Sequence, residues 1–284
     1  MFEWLMPSMK AIYNSRIFDQ EDIQIKTHNR AFCYGDGLFE TIVTGPSRFN
    51  LIDRHLDRLG AHMSHLRLLE PEIIKKNLNQ WIDELAQLNQ ITGDIRSKLQ
   101  VWRKSGGLYS PSSNAFEFLI TVKESQQPIY VNGSEIGLSK QSVNHFSSIS
   151  AFKSISSMNY VMAGIEKTEK NLDDIIILDH QGYLSETHTS NLFWTKDNVI
   201  YTPDLKTGCI DGVMRRFTID FFKQTPGIML KTVRARQETL LSCDSIFSTN
   251  ASGIKAFSQL ENRDQPLQNP ENLLSDLIKR LQQP

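Results

Sequence analysis

The spacing of the apolar residues changes character part-way along this chain, and that change limits the folds open to it. From Ile52, apolar residues recur at Leu56, Leu59, Met63 and Leu66, which is helical spacing. Pro71 suits the first turn of a second helix that continues through Ile74, Leu78, Trp81, Leu85 and Leu88. Phe116, Phe118, Ile120 and Val122 then alternate with other residues, as a half-buried strand requires. Ahead of these helices, Gly-Asp-Gly and Gly-Pro break up the apolar stretches of residues 10–53, a pattern of strands and turns. The polar, proline-ended stretch Ser125–Pro128 is the best place for a boundary. Beyond it the runs are short and strand-like, at Ile175–Leu178, Val199–Tyr201 and Ile228–Val233. A helix opens at Gly212, with Val213, Phe217 and Phe221 on one face. Another closes the chain after Pro270, through Leu274, Leu277, Ile278 and Leu281. The pattern is α+β in two parts, residues 1–124 and 125–284, the second richer in strands.

Charge and cysteine content exclude several functions. A net charge of −1 over 284 residues gives no overall attraction for nucleic acid or an anionic membrane. The three cysteines, Cys33, Cys209 and Cys243, show no CxxC spacing, so neither a disulfide framework nor a zinc knuckle is expected. The start Met1-Phe2-Glu3-Trp4 lacks the basic and apolar regions of a secretory signal. The longest aliphatic runs fall far short of the roughly 20 residues that span a bilayer. The expectation is a soluble, cytoplasmic protein. Of His55, His62, His65 and His188, the first three lie on one helix at spacings that do not all share a face. They are read as mostly solvated, so no metal site is expected. The Gln282-Gln283-Pro284 tail is read as frayed.

Four positions carry possible chemistry. Lys153 is the only Lys, Arg, Asp or Glu between Lys140 and Glu166. A surface lysine is the plain reading, but apolar surroundings also lower an amine's pKa, as a Schiff-base lysine needs. Glu186 follows a strand and a turn and precedes the hydroxyl-rich Thr187-His188-Thr189-Ser190-Asn191. It reads as a loop carboxylate or as part of an anion-binding turn. Gly208-Cys209-Ile210-Asp211-Gly212-Val213-Met214 precedes a helix, a place where glycine admits close approach and the helix start favours an anion. Arg58 falls near the edge of the buried helix face, where most arginines are solvated and some reach inward to an oxyanion.

Taken together, in order, these features resemble a family. Asn29-Arg30-Ala31-Phe32-Cys33-Tyr34-Gly35-Asp36-Gly37-Leu38-Phe39-Glu40-Thr41 resembles the first signature of class IV aminotransferases and aminodeoxychorismate lyases. His55–Leu59, Lys153, Asn159–Ala163, Asp173–Asn191, Gly212–Arg215 and Ser248–Ala251 follow as they do in that family. The resemblance covers roughly residues 10 to 260. It implies a fold-type IV enzyme: a small N-terminal α/β domain, a larger barrel-like C-terminal α/β domain, pyridoxal 5′-phosphate between them, and a homodimer. By resemblance Lys153 bonds the cofactor, and Glu186 lies against the pyridine nitrogen and keeps it protonated. Arg58 holds the phosphate, with backbone N–H groups of Gly212, Val213 and Met214 and groups near Thr249 and Asn250. Ser190 and Asn191 belong to the same binding loop. Asn159 or Tyr160 packs near the cofactor. Ala251 stands where aminotransferases commonly have threonine, so no side-chain phosphate contact is carried over to it.

The same resemblance bears on the reaction. Thr41 stands where branched-chain aminotransferases usually have glycine, and its hydroxyl can assist proton transfer. Arg103, ahead of Ser105-Gly106-Gly107 and Tyr109, resembles a lyase segment in which an arginine grips a substrate carboxylate; its plain reading is a strand-end surface residue. Tyr34 and Tyr109 are placed with it as substrate-binding residues. Asn191-Leu192-Phe193-Trp194 and Gly212–Phe217 look nearer the lyase. The expectation is a lyase that releases pyruvate and 4-aminobenzoate from aminodeoxychorismate, on the folate route. The alternative is an aminotransferase for branched-chain or D-amino acids with 2-oxoglutarate.

Overall fold

A computed structural model describes residues 8–283, so the expectation for the first four residues lies outside the described ones, as does Pro284. The chain divides into two compact units. One comprises the described residues to Gln126 together with Lys153–Ser156, and the other comprises Gln127–Phe152 and Ser157–Gln283.

The first unit is a five-stranded antiparallel sheet with helices. Its elements are β1 (Lys10–Tyr13), β2 (Arg16–Asp19), α1 (Arg30–Tyr34), β3 (Gly37–Thr44), α2 (Ile52–His65), α3 (Glu72–Leu88), β4 (Ile95–Arg103) and β5 (Phe116–Glu124). The sheet order is β2-β1-β5-β4-β3. Leu38 and Ile42 of β3, Leu99 and Val101 of β4, and Phe118 and Ile120 of β5 are buried, as are Leu59, Met63, Ile74, Leu78 and Ile82 of the helices. The periodicity therefore has its expected physical cause: helix stripes and strand faces share one core. The short helix α1 lies where only strands and turns were expected. Asn29 caps it by accepting from the Ala31 and Phe32 N–H groups, and Gly35 ends it with φ 62°.

Strand β3 is the last in the sheet order, and Lys153–Ser156 pairs with it. The Phe39 N–H donates to the Lys153 carbonyl at 2.9 Å, and the Ile155 N–H donates to the Gly37 carbonyl at 3.1 Å. This pairing is why a segment distant in sequence belongs to the first unit. The division expected at residues 124 and 125 treats the chain as two consecutive stretches, and the structure differs from it at this segment.

The second unit holds β6 (Tyr130–Asn144), α4 (Met158–Glu169), β7 (Asp174–Asp179), β8 (Leu184–Thr187), β9 (Asn191–Lys196), β10 (Val199–Pro203), α5 (Val213–Lys223), β11 (Met229–Val233), β12 (Ser245–Asn250), β13 (Gly253–Leu260) and α6 (Glu271–Leu281). Its eight strands run β11-β10-β9-β12-β13-β6-β7-β8, a sheet curled into a half-barrel. A core of Ile136, Ile176, Leu184, Leu192, Trp194, Ile246 and Phe257 holds it together. Two parallel pairs, β6 with β7 and β10 with β11, are joined through α4 and α5 respectively. Such crossovers set a helix start near the carboxyl end of the preceding strand, a natural place for an anion. Among the described residues no helix is long and apolar enough to cross a membrane. Nor does any group of three His, Cys, Asp or Glu side chains among them converge as metal ligands would.

Candidate active site

In the first unit the reactive groups follow from strand alternation. Leu38 faces the core and pairs with Ser154, so Phe39 and Lys153 leave the opposite face together. The Lys153 Nζ sits 4.4 Å from the centre of the Phe39 ring. Thr41, two residues along β3, shares that face.

On the core side of β3, Glu40 is buried among apolar residues, and two partners compensate it. Arg58 Nε donates to Oε1 at 2.9 Å, Arg58 Nη2 also donates to the carboxylate, and His55 Nδ1 meets Oε2 at 2.7 Å. Burial alone would raise the Glu40 carboxyl, but the Arg58 guanidinium and His55 override it and hold it at about 2. Arg58 and His55 are themselves buried, at 3 % and 4 % exposed, as is His62. The solvated reading of His55 and His62 is thus corrected: both lie on the inward stripe of α2, and only His65 is exposed.

Arg103 also lies elsewhere than expected. It is 6 % exposed, so it is no surface residue. Its Nε donates to Asp36, its Nη1 to Asn114 and its Nη2 to the Leu66 carbonyl. These partners engage all three nitrogens with the fold itself. Arg30 completes the brace, with Nε on the same Asp36 oxygen and Nη1 on the carbonyls of Gly106, Gly107 and Leu108. This clamp presents Tyr34 and Tyr109, whose ring centres stand 5.7 Å apart; Tyr109 is 91 % exposed.

In the second unit the site is built around Glu186 in β8. It is buried, and its Oε1 accepts from the Tyr160 hydroxyl at 2.7 Å, Asn144 Nδ2 at 3.1 Å and the Ile210 N–H at 3.1 Å. Asn191 Nδ2 reaches Oε2 at 3.5 Å and the Ile210 carbonyl at 2.7 Å. Burial and then the Glu186 charge push the Tyr160 hydroxyl far above its ordinary range. Both act on Cys209 too, raising its thiol to about 12. Sequence alone leaves Asn159 and Tyr160 as alternatives beside the cofactor; within the protein Tyr160 contacts Glu186 directly, and Asn159 Nδ2 donates to Asn144 Oδ1.

Beside this network α5 begins without a side-chain cap at Gly212, so the N–H groups of Val213 and Met214 point out of the helix start. A Cβ at Gly212 would stand 2.0 Å from Asn191 Oδ1, so only glycine fits. Thr249 pairs directly with Asn191 across the β9–β12 ladder, and both side chains leave the same sheet face. The Thr249 hydroxyl is buried and has no hydrogen-bond partner among the described residues. Asn250 Nδ2 is engaged with Ser190 Oγ at 2.9 Å. Thr187 turns away to Asp174. Sequence reasoning missed Glu40 and Asn144. A carboxylate in phase with Leu38 and Ile42 is a signal for the first, and nothing local marks the second.

The sequence pattern of the family Amino-transferase class IV matches residues 37–257. The chain belongs to this family. It is 29 % identical over 250 residues to an aminodeoxychorismate lyase of Bacillus subtilis, covering 84 % of this chain and 82 % of that protein. It is 22 % identical over 260 residues to a D-alanine aminotransferase of Bacillus licheniformis, covering 86 % and 85 %. Its fold matches the branched-chain aminotransferase of the archaeon Thermoproteus uzoniensis with norvaline, at a TM-score of 0.84 and 21 % identity over 96 % of this chain and 94 % of that one. Solved structures that share the fold include a branched-chain amino acid aminotransferase with pyridoxamine 5′-phosphate. This is a fold-type IV enzyme dependent on pyridoxal 5′-phosphate. The second unit's residues fit the cofactor: a buried carboxylate held by donors suits a pyridinium, and the uncapped α5 start with the unpartnered Thr249 hydroxyl suits a phosphate.

Proposed function

We propose that the enzyme is an aminodeoxychorismate lyase, releasing pyruvate and 4-aminobenzoate from 4-amino-4-deoxychorismate. The observation that carries this reading is a hydroxyl on the same strand face as the amine: Thr41 two residues from Phe39, with Lys153 over the Phe39 ring. The similarity to the Bacillus subtilis lyase supports it. Bound pyridoxal phosphate supplies an electron sink for a carbanion beside the substrate nitrogen. Lys153 Nζ takes the proton from that carbon, the C–O bond to the enolpyruvyl group breaks as the ring becomes aromatic, and the Thr41 hydroxyl passes the proton to the methylene of the departing enolpyruvate, which leaves as pyruvate. Glu186 would lie against the pyridine nitrogen of the bound cofactor and favour its protonated form. In the second unit the Val213 and Met214 N–H groups and Thr249 Oγ1 would hold the phosphate; the family resemblance assigns it Arg58 as well, which Glu40 fixes within the first unit. Tyr34 and Tyr109 contact substrate, and Arg103 enters as the brace of their loop.

The test is to incubate the cofactor-loaded enzyme with aminodeoxychorismate and assay both products. Pyruvate and 4-aminobenzoate in equal amounts support the lyase. The similarity to D-alanine aminotransferases favours a second reading, transamination of D-amino or branched-chain L-amino acids. Conversion of the cofactor to its amine form by such amino acids, with no pyruvate from aminodeoxychorismate, would replace the first reading by the second.

The proposal extends to a cytoplasmic homodimer serving folate synthesis. Met158, Val161, Met162 and Ile165 form an exposed apolar stripe along α4, which a second copy would cover. Sedimentation should give twice the chain mass, and Ile165→Glu should lower it. A monomer at micromolar concentration would overturn this part.

A further inference from the structure

Asn144 ends β6 and connects three elements. Its side chain is buried, and Nδ2 donates to Ser185 Oγ at 3.0 Å and to Glu186 Oε1 at 3.1 Å. Its Oδ1 accepts from Asn159 Nδ2 at 2.8 Å, and that same nitrogen donates to the Val143 carbonyl at 3.2 Å. Ser185 Oγ passes the chain on to the Thr207 carbonyl at 3.0 Å. These partners fix the amide's orientation. Turned over, it would set its oxygen against the Glu186 carboxylate and its two donors against Asn159, which offers a donor.

The arrangement uses every capability of an asparagine. Two donors serve β8 and one acceptor serves α4. A serine has one proton to give, a glutamine is one carbon too long, and an aspartate offers acceptors where Glu186 needs a donor. Tyr160 and the Ile210 N–H share Oε1 with Asn144. Charge-assisted hydrogen bonds concentrated on one oxygen stabilise the ionised carboxylate and fix its plane.

We propose that Asn144 is a positioning residue for the cofactor ring, acting through Glu186: it holds that carboxylate ionised and oriented so that it pairs with the pyridine nitrogen. This rests on the assignment of Glu186 to that nitrogen. The role is electrostatic and specific to the ring nitrogen, and that separates it from a merely structural one.

The experiment measures the affinity of full-length protein for pyridoxal phosphate and for its 1-deaza analogue, in which the ring nitrogen is a C–H group. Wild type, Asn144→Ala, Asn144→Asp and Glu186→Gln are compared. Asn144→Asp keeps the shape and exchanges the donor for an acceptor, so it addresses the role even where the alanine variant folds poorly. Both Asn144 variants are expected to bind pyridoxal phosphate about tenfold or more weakly, since a hydrogen bond to a charged group is lost. Their affinity for the deaza analogue should stay within about twofold of wild type, as should that of Glu186→Gln. Equal weakening for both ligands, or no weakening for either, would overturn the proposal. Glu186→Gln weakening both ligands alike would instead overturn the Glu186 assignment beneath it, and a wild type that binds neither would overturn the functional reading.

Discussion

Arg58 and Glu40 form a two-point ion pair inside the first unit, with Arg58 Nε on one carboxylate oxygen at 2.9 Å and Nη2 on the other. Neither group is reached by water, so each depends on the other to offset its lost hydration. Replacing Glu40 by alanine leaves a buried guanidinium without its carboxylate. We expect Glu40→Ala to destabilise the protein by about 3–5 kcal/mol, the usual cost of breaking such a pair from one side. Urea unfolding gives the value, and a change below about 1 kcal/mol would contradict the argument.

The same carboxyl sets an acid limit. Its folded value of about 2 lies below the ordinary 4.5, so Glu40 contributes stability that is fully present above about 4.5. That contribution is lost as the pH falls through 4.5 towards 2, the range in which the unfolded chain takes up the proton first. Urea midpoints measured from about pH 6 to about pH 3 should fall more steeply for wild type than for Glu40→Gln, which has no proton to gain. Parallel slopes would place the acid sensitivity elsewhere.

Gly212 is the tightest point of the second unit's site. Its φ of −67° is open to any residue, so the objection to a side chain is steric alone. A methyl group there must push Asn191 Oδ1 aside, and with it the Nδ2 contact to the Ile210 carbonyl. Gly212→Ala is expected to cost roughly 1–3 kcal/mol of stability, as overpacking does. It should also lower cofactor affinity at least tenfold, read by absorbance titration. Unchanged affinity would show that the α5 start takes no part in binding.

Asp36 joins Arg30 and Arg103 through one oxygen, at 2.8 and 3.0 Å. Arg30 in turn holds three carbonyls of the Gly106–Leu108 loop. Asp36→Ala should cost roughly 2–4 kcal/mol and release that loop. Limited proteolysis should then cut near Leu108 or Tyr109 faster than in wild type. A fragment pattern identical to wild type would mean that the loop is held by other contacts.

Much of the fold was readable because periodicity reports burial directly. The helical spacing from Ile52 and after Pro71 became α2 and α3, and the alternation at Phe116–Val122 became β5. The strand β4 and the fifteen-residue β6 were not readable in the same way, because their buried positions include Ser97, Arg103, Ser139 and Ser142, whose polar groups mask the pattern. The solvated reading of His55 and the plain surface reading of Arg103 fail for a related reason. A charged residue counts as surface until its partner is known, and the partners, Asp36 and Glu40, lie far off in sequence. Lys153 and Glu186 stood out by resemblance, while Asn144 had no sequence signal, because its importance comes entirely from what surrounds it in space.

Lys153–Ser156 pairs with β3 although more than a hundred residues separate them. The sequence order of synthesis and the order of assembly therefore differ. A nascent chain ending near residue 126 possesses all five strands of the first sheet but lacks the segment that lines its β3 edge. The loop to be closed is long, and closing it carries an entropic cost that only contacts made afterwards can repay. The first unit cannot be completed until translation has passed the middle of the chain. A fragment cut at the boundary would carry an unpaired strand edge, the feature that invites association between chains.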